Sequence, residues 1–349
     1  MRLEEFLSQA IEQLKQAGID NPQLDARLLF CHALTCDRAQ LLSQSRRILN
    51  DEERRVINEL MSRRMRRESV ARIIGKREFR GLDFALNEAT LEPRPDSETV
   101  VEAIVGMREK RPLPPQGGEG RGEGGRGDHN SARGPPPPPP PPPRGGGGGG
   151  PPPPRGDHNS ALPLTPTPLP PSGGRGAFRI LDLGTGTGCL LLSLLHEMPD
   201  ATGLGIDINP RAIEQATINA ASLHFGKRAT FRTGNWLENI KERFDIIVSN
   251  PPYIPVADIP ALMPEVRDYD PALALDGGGD GLTPYRLLIP QLADFLNPQG
   301  LIAFEVGQGQ AQPVADLFRQ SRFANIVLHK DLGGIERCVT AERPACSFS

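Results

Sequence analysis

The chain has 349 residues, enough for two domains with cores of their own. Its 40 basic and 43 acidic residues nearly cancel, which argues against a surface built to coat nucleic acid and against a dominant acidic tail. No apolar run approaches a membrane span, and Met1-Arg2-Leu3-Glu4-Glu5 lacks the basic-then-apolar order of a signal peptide. The expectation is a soluble, cytoplasmic protein with no membrane contact.

Residues 3 to about 70 carry helical periodicity. Leu3, Phe6, Leu7, Ala10, Ile11 and Leu14 fall on one apolar face, and Gly18 closes that helix. Asn21-Pro22 opens a second helix as N-cap and first helical residue, and a third starts near Asp51 with Val56, Ile57, Leu60 and Met61 on its buried side. Residues 1–72 thus form a small helical bundle. Its end is basic, with Arg54, Arg55, Arg63, Arg64, Arg66, Arg67, Arg72, Lys76, Arg77 and Arg80. Two readings stand side by side: a solvated helix face, or a contact surface for a large acidic partner such as an RNA-containing assembly.

Residues 73–110 form the second unit. The period shortens at Phe79, Leu82, Phe84 and Leu86, predicting a hairpin that turns at Arg80-Gly81. The stiff loop Pro93-Arg94-Pro95 follows, with Asp96 or Ser97 able to cap a helix that begins at Glu98. Residues 111–177 then lose globular composition. Nine prolines, Pro135–Pro143, precede Gly145–Gly150, and Arg-Gly-Asp-His-Asn-Ser-Ala occurs at Arg126–Ala132 and again at Arg155–Ala161. Such a segment has little apolar surface to offset its ordering cost, so it is expected to be a disordered insertion, with His129 and His158 part of a duplication and not a metal site.

From 178 to 349 short apolar runs alternate with helical segments. Phe178–Leu183 predicts a buried strand that runs into Gly184-Thr185-Gly186-Thr187-Gly188 and a helix from Cys189. A second strand ends on Asp207, 23 residues after Gly184, and a third at Ala229–Thr233 leads to Gly234-Asn235-Trp236. A fourth, Phe244–Ser249, stops at Asn250-Pro251-Pro252-Tyr253. This alternation predicts a doubly wound, Rossmann-like α/β sheet whose ligands lie beyond the carboxyl ends of the strands. The five cysteines, Cys31, Cys36, Cys189, Cys338 and Cys346, include no C-x-x-C pair, so neither a disulfide framework nor a metal site is expected. Cys31, Cys189 and Cys338 read as small buried hydrophobes.

A glycine loop after the first strand and an acid ending the second make a nucleoside site, in which the Asp207 carboxylate accepts from ribose hydroxyls. The spacing Gly184-x-Gly186-x-Gly188 puts Cys189 where a dinucleotide fingerprint needs its last glycine. That favours a ligand without pyrophosphate, such as S-adenosyl-L-methionine. Trp236 is placed to stack on its adenine or to act as a core or lid aromatic. Asn250-Pro251-Pro252-Tyr253 by itself is a turn signal; its place 66 residues after Gly184 in the same sheet makes it a site.

Here the sequence resembles the Asn-Pro-Pro-Tyr class of S-adenosylmethionine-dependent N-methyltransferases. More narrowly it is similar to the protein-glutamine N5-methyltransferases that modify peptide chain release factors. The narrower resemblance rests also on Arg77–Phe84, Pro93–Glu98, Asp270–Leu275, Gly277–Leu282, Glu305-Val306-Gly307-x-Gly309-Gln310 and Lys330–Gly334. It implies a seven-stranded class I methyltransferase domain with an antiparallel last strand, preceded by the helical bundle, which helps bind substrate, and by the joining hairpin. It implies release factors 1 and 2 as protein partners, a glutamine in a Gly-Gly-Gln motif as acceptor, and no direct nucleic-acid substrate. Gly184, Thr185, Gly186, Thr187, Gly188, Asp207, Trp236 and Asn250 would hold the cofactor, and Asn250, Pro251, Pro252 and Tyr253 the acceptor amide. The chemistry follows from residue type: the Asn250 side-chain oxygen and the Pro251 carbonyl each accept one hydrogen of the substrate amide, while Tyr253 packs on its plane.

The chain departs from the family pattern at Asn235, where an acid is usual, at Glu92, where an aliphatic residue is usual, and at Ser69–Ile73, which replaces a segment with proline and tyrosine. Three other readings compete: methylation of a glutamine in a large-subunit ribosomal protein, adenine-N6 methylation of DNA or RNA, and a scaffold built on the proline tract. The Pro93–Glu98 loop disfavours the first. The absence of a basic cluster between 178 and 349 disfavours the second. The third leaves the cofactor residues unexplained.

Overall fold

The computed structural model describes residues 1–109 and 178–344. The expected disordered insertion, its histidines and Cys346 lie outside the described residues. The helical part consists of α1 (Leu3–Gln16), α2 (Pro22–Ala33), α3 (Arg38–Ser43), α4 (Asp51–Met65) and α5 (Val70–Ile74). Leu3, Leu14, Leu29, Phe30 and Ile57 close its core. Gly18, at φ +72°, ends α1 as the spacing predicts.

Two short helices were not legible. The six-residue α3 is too short for periodicity and is started by a capping box, in which Asp37 accepts from the Gln40 amide and the Gln40 side chain accepts from the Asp37 amide. The five-residue α5 is capped by Ser69 and runs past the boundary expected at residue 72. Asn21 holds the N-cap position of α2, but its side chain makes no capping bond, so Pro22 at the first turn sets that start.

The hairpin β1 (Lys76–Phe79) and β2 (Leu82–Ala85) turns at Arg80 and Gly81, both with positive φ. This is the backbone hand that a two-residue hairpin turn needs. A short 3-10 turn at Pro95–Ser97 leads into α6 (Glu98–Glu109). The expected cap there is absent: Ser97 is buried and faces the site described below.

The second part is a seven-stranded sheet, formed by β3 (Arg179–Leu183), β4 (Thr202–Asp207), β5 (Ala229–Thr233), β6 (Phe244–Ser249), β7 (Leu296–Glu305), β8 (Ala324–Lys330) and β9 (Glu336–Glu342). The order is β5-β4-β3-β6-β7-β9-β8. Every neighbouring pair is parallel except those involving β9, which runs antiparallel to both β7 and β8. Helices α7 (Cys189–Glu197) and α8 (Pro210–Ser222) follow β3 and β4. The short helices α9 (Pro264–Arg267), α10 (Ala272–Leu275), α11 (Thr283–Leu288) and α12 (Leu292–Phe295) fill the connection from β6 to β7, and α13 (Ala311–Gln320) follows β7. One core lies on each face of the sheet, one centred on Ile247, Phe304 and Phe318, the other on Val100, Leu191 and Val248. No described helix is long and apolar enough to cross a membrane.

The helical part and the sheet belong to one compact unit and are joined by ion pairs. Arg64 bonds Asp25 at 2.7 Å and Glu265 at 3.0 Å, and Glu265 also takes Arg67 at 2.9 Å. Asp270, its side chain 1% exposed, bonds Arg72 and Arg94 at 2.5 Å each. These contacts recast the basic stretch. Arg54 pairs with Asp51, Arg55 with Glu52, Arg63 with Glu68, Lys76 with Asp83, Arg77 with Glu92, and Arg80 with Glu102 and Glu197. Of the ten basic residues only Arg66 has a neutral side-chain partner, Ser62. Most of the stretch is thus paired with this chain's own acids, and the buried pairs to Glu265 and Asp270 tie the helical part to the sheet.

Candidate active site

Three marked segments converge at the carboxyl ends of β3, β4 and β6, around a cleft whose water-accessible interior is about 220 Å3. Gly184, Thr185, Gly186, Thr187, Asp207, Trp236, Asn250 and Pro252 line it. Gly188, Pro251 and Tyr253 do not reach its wall: Gly188 caps α7, and Pro251 is buried. Tyr253 packs against the core with its hydroxyl 3.4 Å from Glu305.

The glycine loop turns sharply because Gly184, Gly186 and Gly188 all have positive φ, a region that side-chain-bearing residues avoid. Its amides are committed internally. Gly184 and Thr185 donate to the Ile206 carbonyl at 2.8 and 2.9 Å, Gly186 to Asp207 Oδ2 at 2.9 Å, and Gly188 to the Thr185 carbonyl at 2.8 Å. A loop with its N–H groups so occupied is not a phosphate cradle. Asn219 on α8 pins it to the hairpin, donating to the carbonyls of Thr187 at 2.9 Å and Ala85 at 3.1 Å.

Each Asp207 oxygen takes one backbone N–H, from Gly186 and from Asn209, both at 2.9 Å. Each therefore keeps a lone pair for a ligand hydroxyl. Burial raises the Asp207 pKa, and the two amides oppose that rise. Trp236 lies just beyond β5, not at its end, with φ +53°, and its ring packs so close to Gly184 that a methyl there would sit 3.4 Å from it. Backbone wall, hydroxyl-accepting carboxylate and aromatic ring together suit the nucleoside of S-adenosylmethionine, so the residues present fit that group. Asn235 lines the cleft but donates to Glu238 at 2.7 Å, which leaves its carbonyl free to accept.

At the other end of the cleft, Asn250 Nδ2 donates to Ser97 Oγ at 3.2 Å. That bond assigns the Asn250 oxygen as the atom left for a ligand. The backbone after it is held by contacts that tolerate no side chain: a methyl on Gly281, itself at φ +77°, would sit 2.2 Å from the Tyr253 carbonyl oxygen. Gln310 Nε2 donates to that same carbonyl at 2.8 Å. The glycine-rich Gly277–Leu282 stretch thus packs against the Asn250–Tyr253 segment.

Several wall residues escaped the list of expected site residues. Leu91, Glu92, Pro93, Arg94 and Ser97 come from the loop before α6, and Pro271, Leu273 and Ala274 from around α10. The signal was present for Pro93, Arg94, Ser97, Pro271, Leu273 and Ala274, which lie in the Pro93–Glu98 and Asp270–Leu275 motifs; Leu91 and Glu92 lie outside them. Glu92 is explained by another departure: it is buried and accepts from Ser69 Oγ at 2.6 Å. Cys189 packs against the core beneath α7, partly buried, and also lines the cleft, and burial pushes its thiol up to about 12. Among the described residues no cluster of histidine, cysteine and acid is arranged to hold a metal ion.

Comparison with known proteins agrees with this geometry. Residues 5–75 match the PrmC N-terminal domain, and residues 175–323 a methyltransferase domain. A release factor glutamine methyltransferase of Rhodospirillum rubrum is 40% identical over 340 residues, covering 97% of this chain and 85% of that protein. Its counterpart in Bradyrhizobium diazoefficiens is 37% identical over 350 residues, covering 97% and 96%. The chain belongs to the release factor glutamine methyltransferase family.

Proposed function

We propose that this chain methylates the side-chain amide nitrogen, N5, of the glutamine in the Gly-Gly-Gln motif of peptide chain release factors 1 and 2, with Asn250-Pro251-Pro252-Tyr253 as its acceptor clamp. The observation that supports the reading is the Asn250–Ser97 bond, which engages the amide nitrogen of a residue on the cleft wall and leaves its oxygen, a pure acceptor, for a ligand. S-adenosylmethionine supplies an electrophilic methyl group when bound. Gly184, Thr185, Gly186, Thr187, Asp207, Trp236 and Asn250 hold it, with Gly188 shaping the loop from behind.

An amide nitrogen is a poor nucleophile because its lone pair is delocalised into the carbonyl. Asn250 Oδ1 accepts one hydrogen of the substrate NH2, fixing the nitrogen and stabilising the positive charge that develops on it, while the buried Pro251 holds the backbone behind it. Pro251 and Pro252 have no N–H to compete for that amide. The position of Tyr253 modifies the expected role of its ring: it supports the clamp from the core side while its hydroxyl is held toward Glu305.

Incubating the protein with methyl donor and either release factor, a ribosomal-protein mixture or an adenine-containing oligonucleotide, then measuring intact masses, tests the assignment. A gain of one methyl on the release factor glutamine is expected, and methylation of the ribosomal protein or oligonucleotide alone would overturn it. Asn250→Ala should reduce transfer by about 10²–10³-fold or more while S-adenosylhomocysteine still binds.

A further inference from the structure

The turn that ends α2 brings two cysteines together. Cys31 is the third residue from the end of the helix, Leu34 is the C-cap, and Cys36 lies two residues beyond it. The Cys36 amide donates to the Cys31 carbonyl at 3.0 Å, and inside that loop the Thr35 amide donates to the His32 carbonyl at 3.2 Å. Thr35 takes the left-handed backbone, with φ +49°. Two nested bonds around one left-handed residue make a common helix ending, in which the side chains at the two outer positions meet in an apolar contact. Here both outer positions are cysteine. Both are free thiols, and both are half-buried against the helical core.

We propose that Cys31 and Cys36 are a redox modification site, which a small-molecule disulfide such as glutathione disulfide converts into an intramolecular bridge between the end of α2 and the start of α3. The backbone bond sets the reach. With standard bond lengths on either side of a 3.0 Å contact, the two Cα atoms stand at most about 7 Å apart, and the bends at carbonyl and amide shorten that. A disulfide spans Cα separations of about 4.4–6.8 Å. Cys36 directly precedes Asp37, the N-cap of α3, so the bridge would join two helices through the turn that already connects them. Among the described residues the other cysteines stand apart from this pair: Cys189 begins α7 and Cys338 is buried in β9. The Cys-x4-Cys spacing alone does not announce the pair, because the chain reversal at Thr35 is what makes the two positions meet.

The step is a thiol–disulfide exchange. The Cys36 thiolate attacks one sulfur of glutathione disulfide and expels one glutathione thiolate, leaving a mixed disulfide. Burial and the neighbouring Cys36 and Asp37 raise the pKa of the Cys31 thiol, with Arg38 opposing them, so Cys31 is the second thiol to react. It gives its proton to water, attacks the Cys36 sulfur and expels the second glutathione thiolate. The two protein thiols lose two electrons and two protons, and the oxidant ends as two thiols. Closing this loop removes freedom from the unfolded chain and stabilises the helical part, provided the native turn holds the bridge without distortion.

The test incubates the full chain with glutathione disulfide, blocks remaining thiols with an alkylating reagent, and maps the cysteines by mass spectrometry without reductant. The expected product has lost two hydrogens, carries a Cys31–Cys36 link, and reverts with dithiothreitol. Cys31→Ser should stop at a glutathione adduct on Cys36. A wild type that gains only glutathione adducts, links either cysteine to a different one, or keeps both thiols free overturns the proposal. Urea unfolding then reads whether the bridge suits the turn. The bridged wild type should unfold at higher urea than the reduced protein, and Cys31→Ser treated in the same way should show no such gain. A bridge that lowers the urea midpoint would mean that the thiols meet only by distorting the turn, which overturns the proposal as well.

Discussion

The two ends of the cleft are built in opposite ways. The donor end is local: Gly184 to Asp207 span two adjacent strands, and backbone amides fix nearly every atom that matters. The acceptor end is assembled from afar. Ser97 and Asn250 meet across 153 positions of sequence, and Arg94 reaches Asp270 across 176. A cofactor shared by many reactions suits a site shaped largely by main chain, with few side chains such as Asp207 and Trp236 to fix the ligand. An acceptor particular to one enzyme suits a site made of side chains held by side chains.

The comparison breaks most sharply at Asp270. Replacing it with alanine leaves Arg72, its side chain 8% exposed, and Arg94 without their carboxylate. Removing one partner of a buried pair costs about 3–5 kcal/mol. Asp270→Ala should lower the urea midpoint accordingly and depress kcat on release factor, with S-adenosylhomocysteine affinity within about threefold of wild type by calorimetry. If cofactor affinity falls as far as turnover, the two ends are not separable.

The converse change is Asp207→Asn, which replaces a carboxylate by a group with one acceptor oxygen. Loss of a charge-assisted hydrogen bond to a ribose hydroxyl should weaken cofactor binding by about 10–100-fold, at about 1.5–3 kcal/mol. KM for release factor should stay unchanged. A release-factor KM that rises in parallel would contradict the division.

Each end also hides one acid that burial pushes up to about 7, Asp182 under the glycine loop and Glu305 under the clamp. Their ordinary values are 3.8 and 4.5, so between there and about 7 the folded state holds protons that the unfolded state has released. The contribution of these groups to stability is therefore greatest at the acid end of that window and declines as pH rises to about 7. Urea unfolding at pH 5 and pH 8 should show the decline, and Asp182→Asn and Glu305→Gln should each remove part of it.

How much was legible follows the same division. The first four strands of the sheet, the glycine loop, Asp207 and the Arg80-Gly81 turn were all readable, because each is encoded within a few neighbouring residues. What the sequence hid is what distant pairing decides. Ser97 looked like a helix cap because its own neighbourhood offers that role; its use is set by Asn250, which only the fold brings near. For Arg64, Arg67 and Arg72 the pairing was hidden because three of their acids, Asp25, Glu265 and Asp270, lie up to about two hundred positions away. Glu92 and Ser69 each looked like an isolated departure from the family, and neither predicts the other until their 2.6 Å contact is seen.

The smallest expected effect concerns residues 111–177, which we propose are a linker outside both ends of the site. The chain on either side of this segment is fixed close together, with the Arg108 guanidinium 5.2 Å from the centre of the Phe178 ring. Deleting 112–176 leaves three residues, 110, 111 and 177, to bridge Glu109 and Phe178, and an extended chain covers about 3.3–3.6 Å per residue. The shortened protein should therefore close without pulling α6 or β3 out of place. Its kcat, KM for release factor and urea midpoint should match the full chain within about twofold, or about 0.5 kcal/mol. A folded deletion protein that lost release-factor methylation but kept S-adenosylhomocysteine binding would instead place the segment at the acceptor end, making that end more dispersed in sequence than the described residues already show.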